Sequence, residues 1–151
     1  MALRKTQKER PFEITAIVLL PDHLHCLWQL PAEDDDFSTR WRLVKSRITI
    51  ELLESGFREL GRNHSRCMRH EHAIWQRRFW EHLIRDEEDW KRHLDYIHYN
   101  PVKHGRTSTP AGWKYSTFHR YVALGEYDRD WGHTEPDTLR EWSPPECPDD
   151  P

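Results

Sequence analysis

The sequence predicts a single α+β domain. Three observations carry that prediction. A β-branched, apolar segment and a second, largely apolar one flank a Pro-Asp turn over residues 12–30, and two later segments space their apolar residues at helical intervals. The 151-residue length, without an internal repeat, is one domain's worth of chain.

Taken in order, "FEITAIVLL" (12–20) and "HLHCLWQL" (23–30) read as the strands of an antiparallel hairpin, with Pro21-Asp22 as the turn signal. After the acidic "PAEDDD", Ser38 is the expected cap of a helix from about Thr39 to Glu54, with Trp41, Val44, Ile48 and Leu52 on one side. Residues 56–72 lack any period and read as a loop. "AIWQRRFWEHLIR" (73–85) alternates like a strand, most clearly from Phe79 to Ile84. Asp86 then caps "EEDWKRHLDYIHYN", a helix expected to stop at Pro101. Beyond Gly105 the pattern weakens, and the division expected is a catalytic body over 1–125 and a loosely ordered acidic, Pro-rich tail over 126–151.

Charge follows the same division. The net charge is −3, but nine acids and two bases between Glu126 and Pro151 leave residues 1–125 at +4. Bases at Arg40, Lys45, Arg77, Arg78 and Lys103 stand among Trp41, Trp75, Phe79 and Trp80. Cations that follow phosphates and rings that stack on bases suit single-stranded nucleic acid, although a solvated basic face over core aromatics has the same composition. No apolar run reaches the length of a membrane span, and "MALRKTQKERPF" lacks the apolar centre of a signal peptide, so a cytoplasmic location is expected. Cys26, Cys67 and Cys147 form no CxxC pair, which argues against a disulfide framework or a thiolate zinc ribbon.

The chemistry-bearing residues lie in the hairpin and the last helix. On a strand His23 and His25 share a face, and two adjacent imidazoles are two-thirds of a metal site, although an isolated pair is more often just a polar strand face. A third donor is needed. Asn100 can supply a carbonyl oxygen, and Tyr96, about 40° from it around the helix, can supply a nucleophilic hydroxyl. Tyr99 falls about 100° from Asn100, on a side expected to face solvent. Mg²⁺ or Mn²⁺ suits such a mixed nitrogen and oxygen set. "HSRCMRHEH" (64–72) offers a rival zinc set in His64, Cys67, His70 and His72, without the spacing of a zinc finger. His82, His93, His98, His104 and His119 receive no role.

Together, "PDHLH", "QRRFWEHLIRD", "YIHYNPVKHG" and "WKYSTFHRY" resemble the REP-associated tyrosine transposases, a bacterial branch of the HUH single-strand DNA transposases, over roughly residues 11–131. The resemblance implies a ferredoxin-like antiparallel sheet with packed helices. It implies a divalent metal held by His23, His25 and Asn100, and Tyr96 as the nucleophile that forms a 5′-phosphotyrosine. It also implies a single-stranded DNA partner, near a hairpin or palindromic repeat. Members of the group usually carry a strand and a helix ahead of the segment matching "PFEITAIVLL". Both are expected to be lacking here, which would leave an open sheet edge or require a strand from a second copy in a homodimer. Two other function classes compete: an inactive relative that binds a DNA hairpin, and a metal-dependent hydrolase. The hydrolase lacks a nearby carboxylate, since Asp22 on a regular strand would face away from the histidines.

Overall fold

The computed structural model describes residues 2–58, 74–75 and 80–142. Arg77, Arg78, Phe79 and the rival zinc set lie outside the described residues, as do the loop beyond residue 58 and the tail beyond residue 142. Contacts divide the chain into two units, Met1–Glu13 with Leu30–Glu81, and Ile14–Gln29 with His82–Pro151.

The first unit holds α1 (Ala2–Glu9) and α2 (Phe37–Glu54). A helix therefore precedes the hairpin, which corrects the expectation that none would. Ala2 and Thr6 are its buried side, and Arg47 from α2 donates to Thr6 Oγ1 at 2.7 Å and pairs with Glu9. The cap of α2 is Asp36 rather than Ser38: its carboxylate accepts from Thr39 N at 3.1 Å, the reach of an N-cap side chain to the third helical amide. Ser38 is already inside the first turn.

The second unit is built on a two-stranded antiparallel sheet, β1 (Glu13–Leu19) and β2 (Leu24–Gln29). Over the described part of the strand expected near 79–84 none forms: Trp80–Arg85 are not a strand, and Leu83 is 84% exposed. Residues 113–121 occupy the free edge of β1 instead. Leu19 N donates to Tyr115 O and Thr117 N to Ile17 O, both at 2.9 Å, around a Val18–Ser116 bridge. Trp113 Nε1 and Tyr121 Oη donate to two further β1 carbonyls, Leu19 and Thr15, so edge groups that would otherwise need water are paired. Among the described residues no strand pairs with the other edge of β2.

Against this sheet packs α3 (Glu87–Lys103), capped as expected by Asp86, whose carboxylate accepts from Asp89 N at 2.8 Å. Pro101 does not stop it. Proline removes only the bond to the Ile97 carbonyl, and so close to the end the helix tolerates the loss. It closes through His104 N to Asn100 O (3.0 Å) and Arg106 N to Pro101 O (2.8 Å), with Gly105 at φ 63°. One more turn of α3 therefore carries Lys103 and His104.

Leu94 and Ile97 of α3 join Ala16, Val18, Leu20, Phe118, Tyr121 and Tyr127 in the core. The short helix α4 (Phe118–Ala123) contributes two of these. The loose tail expected from residue 126 is corrected as far as Trp142. Tyr127 and Leu139 are buried, and Trp131 packs on the core. The buried Asp95 of α3 accepts from the Tyr127 hydroxyl, from Thr138 Oγ1 at 2.8 Å and from Lys91 Nζ at 2.6 Å.

Candidate functional site

His23 and His25 come together on the side of the hairpin that meets α3. The rings stand edge to face, centroids 5.1 Å apart. His23 is not on the strand, because Leu20 N donates to His23 O at 2.9 Å and closes the turn there, with β2 starting at Leu24. That turn overturns the expectation for Asp22. Its carboxylate accepts from His23 Nδ1 at 2.8 Å, a bond that, with Arg106 3.9 Å away, holds the Asp22 carboxyl below its usual range. A proton fixed on Nδ1 leaves the Nε2 lone pair available, the arrangement by which carboxylates orient metal-binding imidazoles. His23 Nε2 is buried and has no hydrogen-bond partner among the described residues.

One face of α3 completes the group. Tyr96, Asn100, Lys103 and His104 are spaced i, i+4, i+7 and i+8, within about 100° of one another around the axis. The Tyr96 ring meets the His25 ring edge to face at 5.3 Å, with Trp142 at 5.8 Å on the same ring. Asn100 is fully buried, and among the described residues neither its Oδ1 nor its Nδ2 has a hydrogen-bond partner. A buried amide left so costs on the order of 1–3 kcal/mol, which invites a ligand. Lys103 donates from Nζ to Tyr96 Oη at 3.2 Å and lies over the same ring. Tyr99 does not face solvent as expected. It is half-buried, beside Gly132, away from this face.

Two residues here escaped the sequence reading. His104 stacks edge to face on His23 at 5.0 Å, a position it owes to the extra turn past Pro101. Trp142 sits in the stretch that composition marked as tail. The helical offset of four from Asn100 was the available signal for His104.

Away from this face, the described residues hold a His/Asp set whose ligand atoms all lie within 4.8 Å of one another: His82, Asp89 and His93. Its geometry is that of a hydrogen-bonded bridge. His82 Nε2 and His93 Nδ1 each meet one Asp89 oxygen, at 2.8 and 3.0 Å, while the two rings stack at 4.5 Å and 11°. Parallel rings carry their lone pairs in parallel planes, which do not converge on one ion.

The basic residues separate. Arg40, expected on DNA, is 1% exposed, and all five of its N–H groups are used on Asp34, Pro11 O and Asp36 O, so nothing remains for a phosphate. Lys45 is half-buried with its Nζ 5.7 Å from the Trp75 ring centre, and burial lowers its pKa.

No family model matches the chain. It is 47% identical over 130 residues to the REP-associated tyrosine transposase of Escherichia coli (strain K12), covering 86% of this chain and 68% of the relative. A relative from Haemophilus influenzae is 47% identical over 131 residues, with 87% and 73% covered. The solved structure of a REP-associated tyrosine transposase bound to a REP hairpin superposes with a TM-score of 0.72 at 44% identity, covering 91% of this chain and 74% of the other.

Proposed function

This chain belongs to the REP-associated tyrosine transposases, and from that membership we propose that it cleaves and rejoins single-stranded DNA at hairpin-type repeats through a 5′-phosphotyrosine at Tyr96. The observation that carries the assignment is the shared face of α3, where Tyr96 meets the ring of His25 and the Lys103 ammonium reaches its hydroxyl.

Tyr96 Oη attacks the scissile phosphorus, the bond to the 3′-oxygen breaks, and the phenolic proton is lost. The products are a 5′-phosphotyrosine and a free 3′-OH. The phosphoester is conserved in the exchange, so rejoining reverses the step without ATP. A phenol, mostly protonated at neutral pH, is a weak nucleophile. The ammonium of Lys103 at its oxygen favours the developing phenolate, and the His25 and Trp142 rings hold the aromatic ring in place.

The donor set also suits a metal. His23 Nε2 and the Asn100 amide are buried without hydrogen bonds among the described residues, and Asp22 fixes the His23 tautomer. His23, His25 and Asn100 would hold Mg²⁺ or Mn²⁺, which when bound supplies Lewis-acid polarisation of the scissile phosphate.

Lys45 and Lys103 serve as phosphate contacts in this reading. A cytoplasmic location belongs to the same proposal, and no described helix is long and apolar enough to cross a membrane. So does a homodimer, for which the edge of β2 that no strand pairs among the described residues is the support. The test is incubation with a labelled single strand carrying a hairpin, with Mn²⁺, followed by a denaturing gel. A labelled band at protein mass is expected; cleavage without a protein adduct would leave the hydrolase reading, and binding without cleavage the inactive one.

A further inference from the structure

Four rings form a row across the site: Tyr96 on His25 at 5.3 Å, His25 on His23 at 5.1 Å, and His23 on His104 at 5.0 Å. The two ends of that row come from one helix. Tyr96 and His104 are eight residues apart on α3, about 12 Å along the axis, and Asn100 lies midway. In-line phosphoryl transfer places the attacking and departing oxygens on opposite sides of phosphorus. With Tyr96 at one end of the row and a phosphate seated over its middle, the departing 3′-oxygen points toward the other end. That end is His104, whose Nε2 is a buried ring nitrogen.

The geometry points to His104 as a catalytic residue at the leaving group: its Nε2–H donates a hydrogen bond to the departing 3′-oxygen. This rests on the transposase reading above. As the Tyr96 Oη–P bond forms and the P–O3′ bond breaks, the phenolic proton passes to water and the 3′-oxygen takes one from water. His104 holds the charge that develops in between, the kind of preoriented donor that stabilises a transition state more than a ground state. In the rejoining direction the same donor orients the 3′-OH for attack. Each end of the helix face then has its own task, Lys103 at the attacking oxygen and His104 at the departing one.

The test compares two substrates with the full chain and Mn²⁺: the labelled hairpin strand, and the same strand with sulfur replacing the bridging 3′-oxygen at the cleavage site. A thiolate leaves readily without a donor, so its departure is insensitive to one. His104→Ala is expected to slow adduct formation on the oxygen substrate by 100-fold or more while staying within about threefold of wild type on the sulfur substrate. His104→Gln, which keeps an N–H donor, is expected to recover part of the oxygen rate. Mn²⁺ affinity, read by electron paramagnetic resonance, should be unchanged in both variants. Equal slowing of both substrates, or slowing of neither, overturns the inference. Loss of Mn²⁺ affinity in both variants overturns it too, since His104 then acts on the metal. Wild-type protein that forms no adduct on either substrate removes the transposase reading, and the inference with it.

Discussion

"YIHYN" offers two hydroxyls, and their surroundings separate them. Tyr96 lies against His25 and Lys103, whereas Tyr99 lies beside Gly132. Tyr96→Phe is expected to abolish the covalent DNA adduct on a denaturing gel while leaving hairpin affinity nearly unchanged, since only one oxygen is lost. Tyr99→Phe should form the adduct at close to the wild-type rate. An adduct that persists in the Tyr96 variant would sink the assignment. Asp22 makes a second expectation, because it acts on the site through His23. Asp22→Asn should weaken Mn²⁺ binding by about 10–100-fold, as removing an orienting carboxylate does, and titration calorimetry without DNA measures it. An unchanged affinity would mean that the turn alone orients the ring.

In α2, Arg40 and Lys45 look alike in the sequence and differ in the fold. Arg40 is buried in a bidentate pair with Asp34, whose carboxyl is pushed down to about 2 by the Arg40 hydrogen bond and, after it, by the Asp36 backbone N–H. Arg40→Met should lower Tm by on the order of 10 °C, the cost of breaking a buried charge pair. It should leave the salt dependence of DNA binding untouched, whereas Lys45→Met should reduce that slope by about one unit. The pair also sets an acid limit. Asp34 has a lower pKa folded than unfolded, so its contribution is fully present above about pH 4 and is lost as the pH falls through about 2. Thermal melts of wild type between pH 4 and pH 2 should show that loss, and Arg40→Met should show much less of it.

Across the molecule, the acidic segment after residue 125 is tied to the site helix by one buried carboxylate. Asp95 is 2% exposed and accepts from Tyr127, Thr138 and Lys91. Burial first, and then Asp95 itself, raise the Tyr127 pKa, so the phenol stays protonated and remains a donor. Tyr127→Phe deletes one hydrogen bond to a buried charge and should cost about 1–3 kcal/mol, read from urea melts. A change below about 0.5 kcal/mol would mean that water or another donor replaces the hydroxyl. Because Trp142 on the same segment touches Tyr96, the variant should also slow adduct formation.

The local signals were legible in the order of the residues. Hairpin alternation, the Asp86 cap, the pairing of His23 with His25 and the offset of four between Tyr96 and Asn100 are properties of neighbours along a chain, where geometry repeats. The contacts that complete each unit's fold join distant segments. The edge of β1 is closed by residues 113–121, and Arg40 is enclosed by Pro11 and Asp34. Packing also overrode two local preferences, carrying α3 past Pro101 and ordering Tyr127–Trp142 despite its acidic composition. A proline or a run of acids sets only a local bias of a few kcal/mol. Burying Leu94, Ile97, Tyr127 and Trp131 together yields comparable or larger free energy, and no window of sequence contains all four.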